Sequence, residues 1–162
     1  MHVNFGQQPF AFDVAAHETR FWAERGYTAV IQGTRGRYKS GGKFYPLQHE
    51  REDGIATLRW LTQQPWFDGR FGMWGGSAFG HTQWAVADQT DPGPSALIIQ
   101  IASSDFYTMF HPGGAFSLES ALFWAVRSRG TRDIDPSFDD LERGFNGFPL
   151  LAADERAVQD IP

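Results

Sequence analysis

Apolar and polar positions along the chain switch between a helical and an extended period, and the switches mark the elements. Residues 13–25 (DVAAHETRFWAER) set Val14, Phe21 and Trp22 on one helical face, with Asp13 as a cap and Gly26 to end the helix. TAVIQ, residues 28–32, is a short β-branched run that predicts a strand buried on both faces. Residues 33–46 are polar and Gly-rich and predict a loop. Ile55, Leu58 and Leu61 then share one side of a helix predicted over 49–64, stopped before Pro65. RFGMWG (70–75) predicts a second strand and FGHTQWAVA (79–87) a helix. After a turn at Asp91, Pro92, Gly93 and Pro94, ALIIQIA (96–102) is the most strand-like run of all.

Strands and helices in alternation indicate βαβ units around a parallel sheet, an α/β class. After about residue 105 the pattern changes. A Pro-Gly-Gly turn (112–114) leads to an apolar helix, 116–128, and then to an acidic stretch. Over 131–162 the acids are Asp133, Asp135, Asp139, Asp140, Glu142, Asp154, Glu155 and Asp160, against three arginines. That stretch predicts helices and loops with a solvated acidic face. Residues 1–110 therefore read as one region and 111–162 as another, with no internal repeat.

Composition narrows the function classes. A net charge of −5 with scattered basic residues argues against a nucleic-acid partner. The chain has no cysteine, which removes disulfides, a thiol nucleophile and cysteine-ligated metal. His2, His17 and His49 have no paired ligands nearby in sequence, so neither a metal nor another cofactor is expected. No apolar run reaches membrane-spanning length, and no basic segment followed by an apolar one opens the chain. The expectation is a cytoplasmic protein with no membrane partner. The 15 Phe and 6 Trp supply large side chains for a core or an apolar pocket.

Candidate chemistry concentrates in Trp74-Gly75-Gly76-Ser77-Ala78-Phe79-Gly80. A serine on a sharp strand-to-helix turn is forced into strained backbone angles, and small neighbours are needed there. The turn would lift Ser77 Oγ above the carboxyl ends of the strands and aim the Ala78 N–H at a developing oxyanion. Gly80 lies one place later than the second glycine of the G-x-S-x-G form. Read by itself, GGS also fits a flexible turn; the strand before it and the helix after it favour the nucleophile. Gly33-Thr34-Arg35-Gly36-Arg37-Tyr38-Lys39-Ser40 imitates a phosphate loop, but Tyr38 stands where that loop needs glycine.

Longer matches go further. Thr34-Arg35-Gly36, Glu52-Asp53-Gly54, Gln64-Pro65-Trp66, the Ser77 turn and Thr82-Gln83-Trp84 resemble, in order and spacing across 26–84, the CocE/NonD family of serine hydrolases. That family includes enzymes of the cocaine-esterase type, X-Pro dipeptidyl-peptidases and α-amino-acid ester hydrolases. HPGGAF (111–116) and FPLLAADE (148–155) resemble the start of its helical cap. The resemblance implies the N-terminal part of an α/β-hydrolase fold. It also implies Ser77 as nucleophile, an acyl-enzyme, and a small-molecule ester, amide or X-Pro peptide as substrate. Ala78 carries over as an oxyanion backbone donor.

Three departures accompany it. Phe5 stands at the position of the family's oxyanion tyrosine and has no hydroxyl, a loss typically worth about 10²–10³ in rate. Gly33 replaces the aspartate that precedes the family's Thr-Arg-Gly. The family's triad Asp and His are expected beyond Pro162, so the chain reads as a truncated portion. Asp105, His111 and His81 are the in-chain stand-ins, although a loop cap, a hinge and a helix-face residue describe them better. The alternative function is a non-catalytic remnant that binds a partner or self-associates through an incomplete sheet.

Overall fold

The computed structural model describes residues 17–37, 40–127 and 138–157. They form two compact units that divide between Ser104 and Asp105, a little before the region boundary drawn after residue 110.

In the first unit, residues 17–23 form α1. Gly26, at φ 86°, ends it, with Gly26 N–H donating to Ala23 O and Tyr27 N–H to Trp22 O at 3.0 and 3.2 Å. This pairing satisfies two orphan carbonyls of the last turn and needs a left-handed residue, which glycine supplies. It also sets Tyr27 edge-on to Trp22, with 5.4 Å between ring centroids. Residues 28–32 are irregular rather than a strand. The β-branched run favours extended backbone, but a strand needs a ladder, and the run finds no such partner among the described residues. Val30 is exposed, and Gln32 Oε1 instead accepts the Thr57 hydroxyl at 2.6 Å.

Helix α2 is Glu50–Leu61, somewhat shorter than the 49–64 expected. Its first residue ties down the preceding turn, Glu50 accepting from the Leu47 and His49 N–H groups at 3.1 Å each. Strand β1 (Gly72–Gly76) leads through Ser77 into α3 (Ala78–Trp84), and β2 (Ala96–Gln100) returns beside β1. The two strands are parallel, with Gly72 opposite Ala96 and Gly76 opposite Gln100. The βαβ expectation holds here, with β1 starting two residues later than the apolar pattern suggested.

Leu58 of α2 and Val86, just past α3, are the buried apolar side chains among the described residues of this unit. Gly54 lets Val86 approach α2, since a Cβ there would lie 2.6 Å from Val86 Cγ1. Arg51 also crosses from α2. Its guanidinium donates to Ala85 O at 2.8 Å and to both Asp88 oxygens at 2.7 and 3.0 Å. The Arg51 hydrogen bond, then that of Gln89, pulls the Asp88 carboxyl down to about 2 from the usual 3.8. A lowered folded-state pKa stabilises the fold fully above 3.8, and the contribution fades as pH falls through about 2. Asp88→Asn should therefore flatten the acid limb of a circular-dichroism pH titration between those values. The effect is modest because the pair faces solvent. Superimposable acid limbs for variant and wild type would refute the tether.

The regular elements of the second unit are all helical among its described residues. Asp105 caps α4 (Phe106–Phe110), a 3₁₀ turn spans Pro112–Gly114, and α5 (Leu118–Arg127) follows. Then come α6 (Phe138–Phe145), a 3₁₀ turn at Leu150–Ala152 and α7 (Ala153–Ala157). Leu122, Ala153 and Ala157 form its core, flanked by Leu118, Leu141 and Phe145. Gly144 permits the close helix contact, since a Cβ there would come within 2.5 Å of Leu122 Cδ2 and 3.0 Å of Ala153 O. The acids Asp139, Glu142, Asp154 and Glu155 are exposed, as a solvated face requires. No helix among the described residues is long and apolar enough to cross a membrane.

Candidate active site

Between the end of β1 and the start of α3 the backbone turns on one residue. Ser77 has φ 53° and ψ −123°, a region that side-chain-bearing residues rarely enter. Its surroundings hold it there. The Ser77 N–H donates to Gln100 O at 2.9 Å, adding one rung to the β1–β2 ladder. The Ser77 carbonyl accepts from Gly80 N–H and His81 N–H at 2.9 and 3.1 Å, starting α3. Its side chain is exposed, and its hydroxyl has no hydrogen-bond partner among the described residues.

The glycines around it are needed for space. Gly75 sits at φ 145°, and a Cβ there would lie 2.4 Å from Phe79 Cβ. A Cβ on Gly76 would meet Gln100 O at 3.2 Å. Gly80 explains the displaced second glycine: it faces the end of β2 and the chain just past it, where a Cβ would strike Ala102 Cβ at 2.5 Å and Ile99 Cγ2 at 3.2 Å. Ala78, the first helical residue, is exposed.

In sequence Gln83 stands out only as part of the Thr82-Gln83-Trp84 motif. Its side chain is fully buried, and Nε2 lies within hydrogen-bonding distance of three carbonyls: Gly75 O and Phe79 O at 3.1 Å and Ile98 O at 3.2 Å. β1, α3 and β2 are thus tied through one amide. A glutamine in a run of helix-face apolar residues is the signal that could have found it, because an amide placed inward must be satisfied.

The other candidates have local partners. His81 turns its ring inward, 7% exposed, where burial lowers its pKa below 6.5 and a hydrogen bond with the Ser103 backbone partly opposes that. Below 6.5 the unfolded chain gains a proton that the folded ring resists, so this histidine costs stability as pH falls. Asp105 caps α4, accepting from Tyr107 N–H at 2.9 Å, Thr108 N–H at 3.3 Å and the Thr108 hydroxyl. These bonds, the Thr108 hydroxyl first, lower its pKa. His111 ends the same helix, with Nδ1 2.9 Å from Tyr107 O and its ring stacked on Tyr107 at 4.2 Å. Phe5 lies outside the described residues.

Two motifs that sequence reading kept apart prove to be partners. The Arg35 guanidinium of Thr-Arg-Gly pairs with both carboxylate oxygens of Asp53 in Glu-Asp-Gly, one contact at 3.0 Å. Arg35 holds the Asp53 carboxyl below its usual range. The pair clips the loop after residue 32 onto α2, and Gly36 leaves room for Phe44, whose backbone N would lie 2.2 Å from a Cβ. No cluster of three or more His, Cys, Asp or Glu that could hold a metal occurs among the described residues.

Residues 4–147 match the family described as X-Pro dipeptidyl-peptidase (S15 family). The chain belongs to that family. The S15 match runs through Ser77, Ala78 and Gln83 and includes all of α2, α3, β1 and β2. A cocaine esterase from Rhodococcus sp. (strain MB1 Bresler) is 41% identical over 149 residues, covering 88% of this chain and 26% of that one. The chain thus spans about a quarter of the length of this curated relative. The CocE/NonD resemblance expected from the motifs stands, and S15 is a hydrolase family. The two-stranded parallel sheet and its helices are consistent with part of the α/β-hydrolase-like fold that S15 membership implies.

Proposed function

We propose that Ser77 is the nucleophile of a serine hydrolase that cleaves a carboxylic ester or an amide, X-Pro peptides included, through an acyl-enzyme. The observation that carries this reading is the backbone of Ser77, φ 53° and ψ −123°, between a parallel strand and a helix. Strain of this kind costs about 1–3 kcal/mol and is found where function uses it. Here it presents Oγ to solvent at the carboxyl end of β1, the side on which open α/β sheets bind ligands. The S15 match and the esterase relative favour an acyl substrate.

In the reaction, Ser77 Oγ attacks the acyl carbonyl carbon while its proton passes to a base. The carbonyl π electrons move to oxygen, and the N–H of Ala78 donates to the oxyanion. Collapse re-forms the carbonyl and breaks the bond to the leaving group, which takes the proton back from the base and departs as alcohol or amine, leaving the acyl group on Ser77. Water then attacks the ester and releases the acid. Among the described residues no histidine ring hydrogen-bonds to Ser77 Oγ, so none is assigned as the base.

The test is p-nitrophenyl acetate and butyrate hydrolysis by the 162-residue chain beside Ser77→Ala, with fluorophosphonate labelling mapped by mass spectrometry. An adduct on Ser77 that Ser77→Ala lacks is expected, with hydrolysis above the Ser77→Ala rate wherever a base reaches Oγ. Equal rates together with an unlabelled Ser77 would refute the reading and leave a non-catalytic binding protein.

A further inference from the structure

We infer that Gln83 is a positioning residue for Ser77, setting the serine turn through three carbonyls and without touching substrate. The inference rests on the reading of Ser77 as the nucleophile. Gln83 is the largest fully buried side chain among the described residues, and it is polar. Its Nε2 carries two N–H groups and faces the carbonyls of Gly75, Phe79 and Ile98, so one N–H is shared. Since all three neighbours are acceptors, the amide must present its nitrogen to them.

The position of those carbonyls gives the bonds their effect. Gly75 lies two residues before Ser77 and Phe79 two after, so the amide grips the strained turn from both sides. The Ile98 carbonyl belongs to β2, whose Gln100 carbonyl receives the Ser77 N–H. The amide therefore fixes the turn against the strand to which the serine is bonded. Its Oε1, also buried, has no hydrogen-bond partner among the described residues. A buried amide with only one end satisfied is poorly suited to filling space, which an apolar residue of similar volume does without an orphan acceptor. The donors are the part the fold uses.

Gln83→Met keeps the side chain's length and removes both donors. Amide hydrogen exchange, read residue by residue, separates positioning from general support. The expected result is a drop of tenfold or more in protection at Ser77, Gly80 and His81, with α2 amides from Asp53 to Leu58 unchanged. Fluorophosphonate labelling of Ser77 should slow by tenfold or more alongside. Protection lost evenly across the first unit, or retained at the turn, would overturn the proposal. Gln83→Glu provides the second arm if the Met variant does not fold. Its protonated carboxyl can donate one hydrogen bond and its carboxylate none, so turn protection should rise as pH is lowered while α2 stays constant. No such local rise would also count against Gln83. A wild-type chain that is never labelled at Ser77 would remove the nucleophile reading, while the exchange data decide separately whether Gln83 sets the turn.

Discussion

Gly75→Ala is expected to destabilise the first unit by about 2–5 kcal/mol and to slow Ser77 labelling by about 10². Two separate costs add. At φ 145° an L side chain is strained whatever the space around it. The new methyl would also sit 2.4 Å from Phe79 Cβ, an atom fixed by the helix backbone and unable to swing aside as a long side chain could. Relief requires α3 to move off β1, which drags Ser77 from its rung on Gln100. A small domain holds roughly 5–15 kcal/mol in all, so this one methyl takes a large share. Gly41→Ala is the control, because a Cβ there meets nothing within 4 Å. Chemical denaturation and labelling of both variants check the result. A Gly75→Ala chain as stable and as readily labelled as Gly41→Ala would show that the turn does not depend on that glycine.

The same turn shows what the sequence made legible and what it did not. Strand, small residues, serine and helix occur in that order in the primary structure, and their local geometry follows from steric limits that act over a few residues. The third-position glycine looked like an irregularity because the residue that demands it, Ala102, is distant in sequence. Gln83 was hidden for a related reason: its three partners come from three elements, and periodicity reports only which face a residue occupies. TAVIQ was misread because β-branched residues specify an extended backbone but not the neighbour that makes it a strand. Asp105 behaves as local chemistry dictates, since an aspartate two and three residues before free N–H groups readily caps a helix. The pairing of Arg35 with Asp53 joins two of the motifs, yet nothing along the chain says that a loop and a helix 18 residues apart face one another.

Arg156→Met is expected to cost the second unit about 2–4 kcal/mol, more than any exposed charge there. In sequence this residue was one of three arginines scattered through an acidic stretch. In the fold its guanidinium donates to Pro149 O at 3.0 Å, Gly144 O at 3.0 Å and Gly147 O at 2.8 Å. One planar fork on α7 thereby closes the end of α6 and the turn that follows. A helix C-terminus leaves carbonyls unsatisfied, and a cation there both bonds them and meets the negative end of the dipole. The turn is shaped around the side chain: a Cβ on Gly147 would come within 2.7 Å of Arg156 Nε. Methionine keeps much of the apolar stem and removes all the donors, so it isolates the hydrogen bonds from packing. Arg156→Lys should fall between, because it keeps the charge but lacks the guanidinium fork that reaches these carbonyls from two nitrogens. The readout is amide exchange at Asn146, whose N–H donates to Glu142 O at 2.9 Å, together with denaturant melts of the whole chain. Unchanged protection at Asn146 in Arg156→Met would mean that the core around Leu122 closes this unit unaided.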